Sequence, residues 1–127
     1  MDVIDKFMIG DLDYIYFDFS CTHLDKRLKQ NGITLEYIKY LIYNEEPRDC
    51  IHSRGNRYEV YYEAPETKDY DEIKLIFACE DYRIVVISVM PNNSIGRYNQ
   101  QIRYYTKARR NILDLTAKAH ARRAKMY

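Results

Sequence analysis

Apolar and polar positions follow two different periods along this chain, and the switch between them organises it. Leu35, Ile38, Leu41 and Ile42 fall at i, i+3, i+6 and i+7, a helical stripe flanked by Tyr37 and Tyr40. Thr34 caps that helix, and Asn44 and Pro47 close it. Before it, a shorter helix is expected from residue 21 to about residue 30, with Ser20 as its N-cap. Asn31-Gly32 ends it with residues that tolerate the left-handed conformation. Upstream, Tyr14-Ile15-Tyr16-Phe17-Asp18-Phe19 is aromatic and β-branched, as an edge strand or a packing arm would be.

After Pro47 the period falls to two. Strands are expected over 57–63, 73–79 and 82–90, with a weaker one near 49–52. Residues 64–71, with Pro65 and several charges, form a hairpin loop, and Glu80-Asp81 is a two-residue turn. The run Ile84-Val85-Val86-Ile87 predicts a central strand covered on both faces. From about residue 99 to residue 125 the pattern is helical again. Tyr105, Ala108, Ile112, Leu115 and Ala119 make a narrow apolar seam with bases on the other faces. The expected fold class is therefore α+β: two N-terminal helices packed on an antiparallel β-meander of three to four strands, plus a long basic C-terminal helix. Two regions follow from it: 1–96 as the α+β domain, and 97–127 as a basic helix packed on that domain or on a partner.

Composition adds limits. At 127 residues, 46% hydrophobic and 31% charged, the chain has a globular balance, and a chain this long buries roughly two-thirds of its unfolded surface without disulfide or metal. No apolar run is long enough to span a bilayer, and the acidic start lacks the basic opening of a secretory signal, so a cytoplasmic protein with no membrane contact is expected. Cys21, Cys50 and Cys79 are odd in number and widely spaced, which fits a reducing compartment. Cys79 lies in an apolar run and reads as a small hydrophobe, whereas Cys21, two residues from His23, is conceivable as a nucleophile.

Charge changes the picture more. The net charge is +1, but residues 97–127 carry nine bases and one acid, or +8, leaving eleven bases and eighteen acids, or −7, for residues 1–96. Such a split suits either a polyanion-facing element or internal pairing of the tail with its own body.

The candidate chemistry centres on His23 and Arg27, four apart and so on one face of the first expected helix. An imidazole can move a proton near neutral pH, and a guanidinium grips phosphate through its planar fork. The same two side chains could instead pair with surface acids such as Asp25, Glu59 or Glu63. His23, His52 and His120 stand alone, and no metal-ligand spacing, glycine-rich phosphate loop or nucleophile elbow is present, so no cofactor is expected.

The segment Thr22-His23-Leu24-Asp25-Lys26-Arg27-Leu28, followed by Asn31-Gly32-Ile33-Thr34, resembles the start of the bacterial family called domain of unknown function 4258. That family's pattern is His-Ala-x-x-Arg, then a Gly-Ile-Ser or Gly-Ile-Thr link, then three strands ending in a Val-Val-Thr-Val-like run, here Val85-Val86-Ile87-Ser88-Val89. The match covers about residues 20–91. Leu24 stands where alanine is usual, and the basic C-terminal segment lies outside the family core. The family looks related to RelE-like toxins, small metal-independent ribonucleases of the BECR fold. The resemblance implies an endoribonuclease of toxin type, with His23, Arg27 and Ser88 in the catalytic positions. It also implies RNA contacts at Arg57 and Tyr58. Outward bases of the tail, Arg109, Arg110, Arg122 and Arg123, could clamp RNA as well. RNA, a cognate antitoxin or immunity protein, and a second copy bound through the C-terminal helix are the expected partners. A non-catalytic RNA- or protein-binding module on the same scaffold is the alternative.

Overall fold

The computed structural model describes residues 2–67 and 69–98. The chain divides after Asn92 into two units, Met1–Asn92 and Asn93–Tyr127. In the first, the elements run α1 (Val3–Met8), β1 (Tyr16–Asp18), α2 (Thr22–Asn31), α3 (Leu35–Asn44), β2 (Asp49–Arg54), β3 (Arg57–Glu63), β4 (Glu72–Glu80) and β5 (Arg83–Asn92). In the second, residues 94–98 are helical.

The expected fold class needs correction. The sheet has five strands in the order β1-β5-β4-β3-β2, and it is mixed: β1 runs parallel to β5, while the other pairings are antiparallel. Period-two patterning identifies strands but carries no information about which distant strand a three-residue piece will join. Residues 14–19 thus supply a parallel edge strand, and β4 rather than β5 lies in the middle. A short helix, α1, precedes both expected helices. The expected long C-terminal helix falls on 99–127, outside the described residues, and Arg109, Arg110, Arg122 and Arg123 lie there with it.

Local choices explain the helices. Thr34 Oγ1 accepts the Tyr37 backbone N–H at 3.2 Å, the expected cap of α3. Gly32, at φ 65°, ends α2, and Ile33 N–H closes back on the Leu28 carbonyl at 3.0 Å. Leu28 and Ile33 both enter the core, so this end combines the left-handed glycine with the hydrophobic contact that accompanies it. The N-terminus of α2 differs from expectation. Its N-cap is Cys21, without a side-chain bond, because Ser20 is engaged elsewhere: both its N–H and its hydroxyl donate to Asp18 Oδ1, at 2.8 and 2.6 Å.

One face of the sheet presents Val60, Tyr62, Ile73, Leu75, Phe77, Ile84, Val86 and Val89 to the core, where α1 adds Val3, Ile4 and Phe7, and α2 and α3 add Leu24, Leu28, Ile38, Leu41 and Ile42. Phe7 meets Phe77 and Phe17 edge-on, at ring centroid distances of 5.2 and 6.0 Å. A bulge interrupts β5. Phe77 faces Val86 but Ile76 faces Ser88, leaving Ile87 as the extra residue. Behind the sheet's other end, Arg48 reaches Glu63, Asp71 and the fully buried Glu72, and Asn92 Nδ2 also donates to Glu72 at 2.7 Å.

Candidate functional site

β1 covers β5 only at Arg83–Val85. Beyond that, α2 lies along the strand's outer edge, and Asn31 Nδ2 donates to the Val89 carbonyl at 3.2 Å, filling a place that a further strand would have taken. Leu24 and Leu28 turn inward, so the residues between them turn outward. His23, Lys26, Arg27 and Gln30 occupy i, i+3, i+4 and i+7 of that outward face.

The strand-to-helix turn ahead of His23 is clamped. Asp18, nearly buried, binds Ser20 through one oxygen and the Arg83 guanidinium through the other. The two Ser20 bonds, and then Arg83, hold its carboxyl well below the usual range, down to about 2.

His23 and Arg27 meet as their spacing predicts. Arg27 Nε donates to His23 Nε2 at 3.3 Å, and its terminal nitrogen donates to Gln30 Oε1 at 2.8 Å. The bond assigns the imidazole proton to Nδ1 and occupies the Nε2 lone pair. It is long and exposed, so it is a weak latch that an anion can open. An open depression of about 560 Å³ lies against the pair, lined by His23, Lys26, Arg27, Lys29 and Gln30. Lys29 pairs with Asp25 at 3.1 Å, an exposed i,i+4 bridge worth little. The helical spacing that joins His23 to Arg27 also brings Lys26 and Gln30 to the same face, a signal present in the sequence beside the expected pair.

The other expected residues lie elsewhere. Ser88 is 1% exposed, and its hydroxyl has no hydrogen-bond partner, so it does not share the open surface of His23. Arg57 and Tyr58 stand on β3, two strands in from β5 and thus about 10 Å across the sheet. The Tyr58 ring packs against His52 at 4.9 Å. Cys21 is half-buried and makes no hydrogen bond to His23. Burial pushes the Cys50 and Cys79 thiols up to about 11, so neither is a nucleophile at neutral pH. Among the described residues no group of three or more His, Cys, Asp or Glu is gathered as a metal would need, and no helix is long and apolar enough to cross a membrane.

No protein-family model, no curated protein and no solved structure matches the chain.

Proposed function

We propose that the chain is a metal-independent endoribonuclease of bacterial toxin type, acting in the cytoplasm on RNA. The observation that carries this reading is the direct contact of Arg27 with His23 on an exposed, cation-lined helix face. A phosphodiester entering the depression competes for the guanidinium. Arg27 then turns its fork to the phosphate oxygens, and the Nε2 lone pair of His23 is released. The imidazole removes the ribose 2′-hydroxyl proton, and the 2′-oxygen forms its bond to phosphorus. The bond to the 5′-oxygen breaks, and that oxygen takes a proton from solvent. Arg27 and Lys26 stabilise the charge that builds on phosphorus. The products are a 2′,3′-cyclic phosphate and a 5′-hydroxyl. The motif resemblance of residues 20–91 to domain of unknown function 4258, which no family model matches, would imply the same activity, and an acidic antitoxin is the partner that would cover such a face.

A second reading, a non-catalytic RNA-binding module, is favoured by one observation: Ser88 is sealed from the surface, so the hydroxyl expected in the catalytic set does not join His23 there. One experiment separates the two. The purified chain is incubated with end-labelled RNA in EDTA. Cleavage is expected, and His23→Ala should lower its rate by about 10²–10⁴-fold with the melting temperature unchanged. If wild type and His23→Ala leave the RNA equally intact, the chain is no nuclease; RNA retention by both would then establish the binding module.

A further inference from the structure

A second surface, of opposite charge, is assembled around the N-terminus. Tyr14, Tyr16 and Tyr82 are 88%, 65% and 64% exposed. Tyr16 N–H donates to the Tyr82 carbonyl at 2.9 Å, and Lys6 Nζ stands 5.8 Å from the Tyr14 ring centre and 6.0 Å from that of Tyr82. The Tyr14 and Tyr82 rings therefore share one patch around Lys6, each at cation–π distance from it, and the backbone bond brings Tyr16, in register with Arg83, next to Tyr82. Beside it opens a cavity of about 450 Å³, lined by Asp2, Asp81, Tyr58 and Tyr82 among others. Lys6 is occupied by the Asp13 carbonyl and by Asp11. The carboxylates of Asp2, Asp13 and Asp81 make no ion pair among the described residues. Burial, then Cys79, Asp2 and Asp5, push the Tyr58 phenol up.

Tyr14 sharpens the point. Its backbone sits at φ 64°, a conformation that a side chain with a β-carbon resists. Buried packing does not offset that backbone cost, since the ring is almost wholly in water.

We propose that Tyr14, Tyr16 and Tyr82, with Asp2, Asp13 and Asp81, form a docking surface for an arginine-rich segment of a protein partner. A guanidinium stacks on an aromatic ring and forks onto a carboxylate at once, which an ammonium does less well. RNA would bring its phosphates against these carboxylates, so it is disfavoured on charge. The surface uses no residue of the His23–Arg27 face and stands whether or not that face cleaves RNA.

The test is fluorescence anisotropy of a labelled oligo-arginine peptide titrated with the full chain, with oligo-lysine and oligouridylate as rival probes. Oligo-arginine should bind tighter than oligo-lysine. Tyr82→Ala combined with Asp81→Asn should weaken it about tenfold, whereas Tyr82→Phe should leave it unchanged, because the ring face persists. Glu36→Gln, an equal change in net charge on exposed α3, should also leave it unchanged. Tyr14→Gly should raise the melting temperature yet weaken binding, a divergence that a purely structural role cannot produce. Peptide binding that ignores the tyrosine changes would overturn the proposal, as would oligouridylate being the probe that Tyr82→Ala releases.

Discussion

The outward face of α2 and the tyrosine surface around Lys6 are both exposed and both charged, but they are built differently. The first takes His23, Lys26, Arg27 and Gln30 from two turns of one helix. The second takes residues from α1, from the segment before β1, and from the β4–β5 turn, spanning positions 2 to 82. A site on one helix inherits its geometry from the helical repeat and persists wherever that helix forms. A site drawn from three segments exists only while the packing beneath them holds. Function placed on α2 should therefore be robust to distant damage, and function placed on the tyrosine surface should not.

The largest effect expected comes from removing that packing. Phe7 is 3% exposed and anchors α1 through Phe77 and Phe17. Phe7→Ala should cost about 3–5 kcal/mol in urea unfolding. In whatever fraction stays folded, α1 is loosened first, so peptide binding at the tyrosine surface should fail while RNA cleavage survives. Equal loss of both would break the comparison.

Arg27→Lys comes next. A lysine keeps the charge but loses the fork, and a hydrogen bond to a charged group is worth about 1.5–3 kcal/mol. Cleavage should fall roughly 10–100-fold with stability unchanged, measured on the same labelled RNA.

A smaller effect concerns the clamp between the two regions. Asp18 has its pKa lowered from 3.8 to about 2 in the folded state. The folded chain therefore binds fewer protons at this group than the unfolded chain, and stability rises with pH across that interval. The contribution is present in full above about pH 4 and is lost as pH falls toward 2. Asp18→Asn should lower stability near neutrality, where the contribution is present in full, and flatten the acid limb of stability against pH in that window. An unchanged acid limb would show that Asp18 does not hold β1 to Ser20 and Arg83.

Smallest is Tyr14→Gly, expected to gain about 1 kcal/mol by relieving the left-handed backbone. Equilibrium unfolding reads it directly, and a loss of stability would mean that the ring is held by contacts rather than set out for a partner.

Much of this architecture is legible along the chain, for reasons that differ by element. The Thr34 cap, the Gly32 stop and the Ile38, Leu41 and Ile42 stripe all depend on neighbours within a turn or so, and each holds in the structure. Ser20, the expected cap of α2, turns instead to Asp18, which is held in place by Arg83, sixty-five residues away. The β4–β5 turn is Asp81-Tyr82 rather than Glu80-Asp81, with Asp81 at φ 44°. The expected site shows the same division. His23 and Arg27 meet because four residues of helix bring them together. Ser88 is expected at the site only through the resemblance of its strand motif, whereas the Ile87 bulge and the pairing with Ile76 decide where it goes.

By itself the sequence determined the periods, the Thr34 cap and the Gly32 stop, the −7 balance of the first 96 residues, and the one-face spacing of His23 and Arg27. These are local or additive quantities, and no long-range contact can alter them. Only the tertiary structure decided that the sheet is mixed, that β1 joins β5, that Ser88 is closed off, and that tyrosines and carboxylates from three segments gather around Lys6. Those outcomes depend on contacts between residues far apart in sequence, whose free energies are settled by the packing of the whole domain at once.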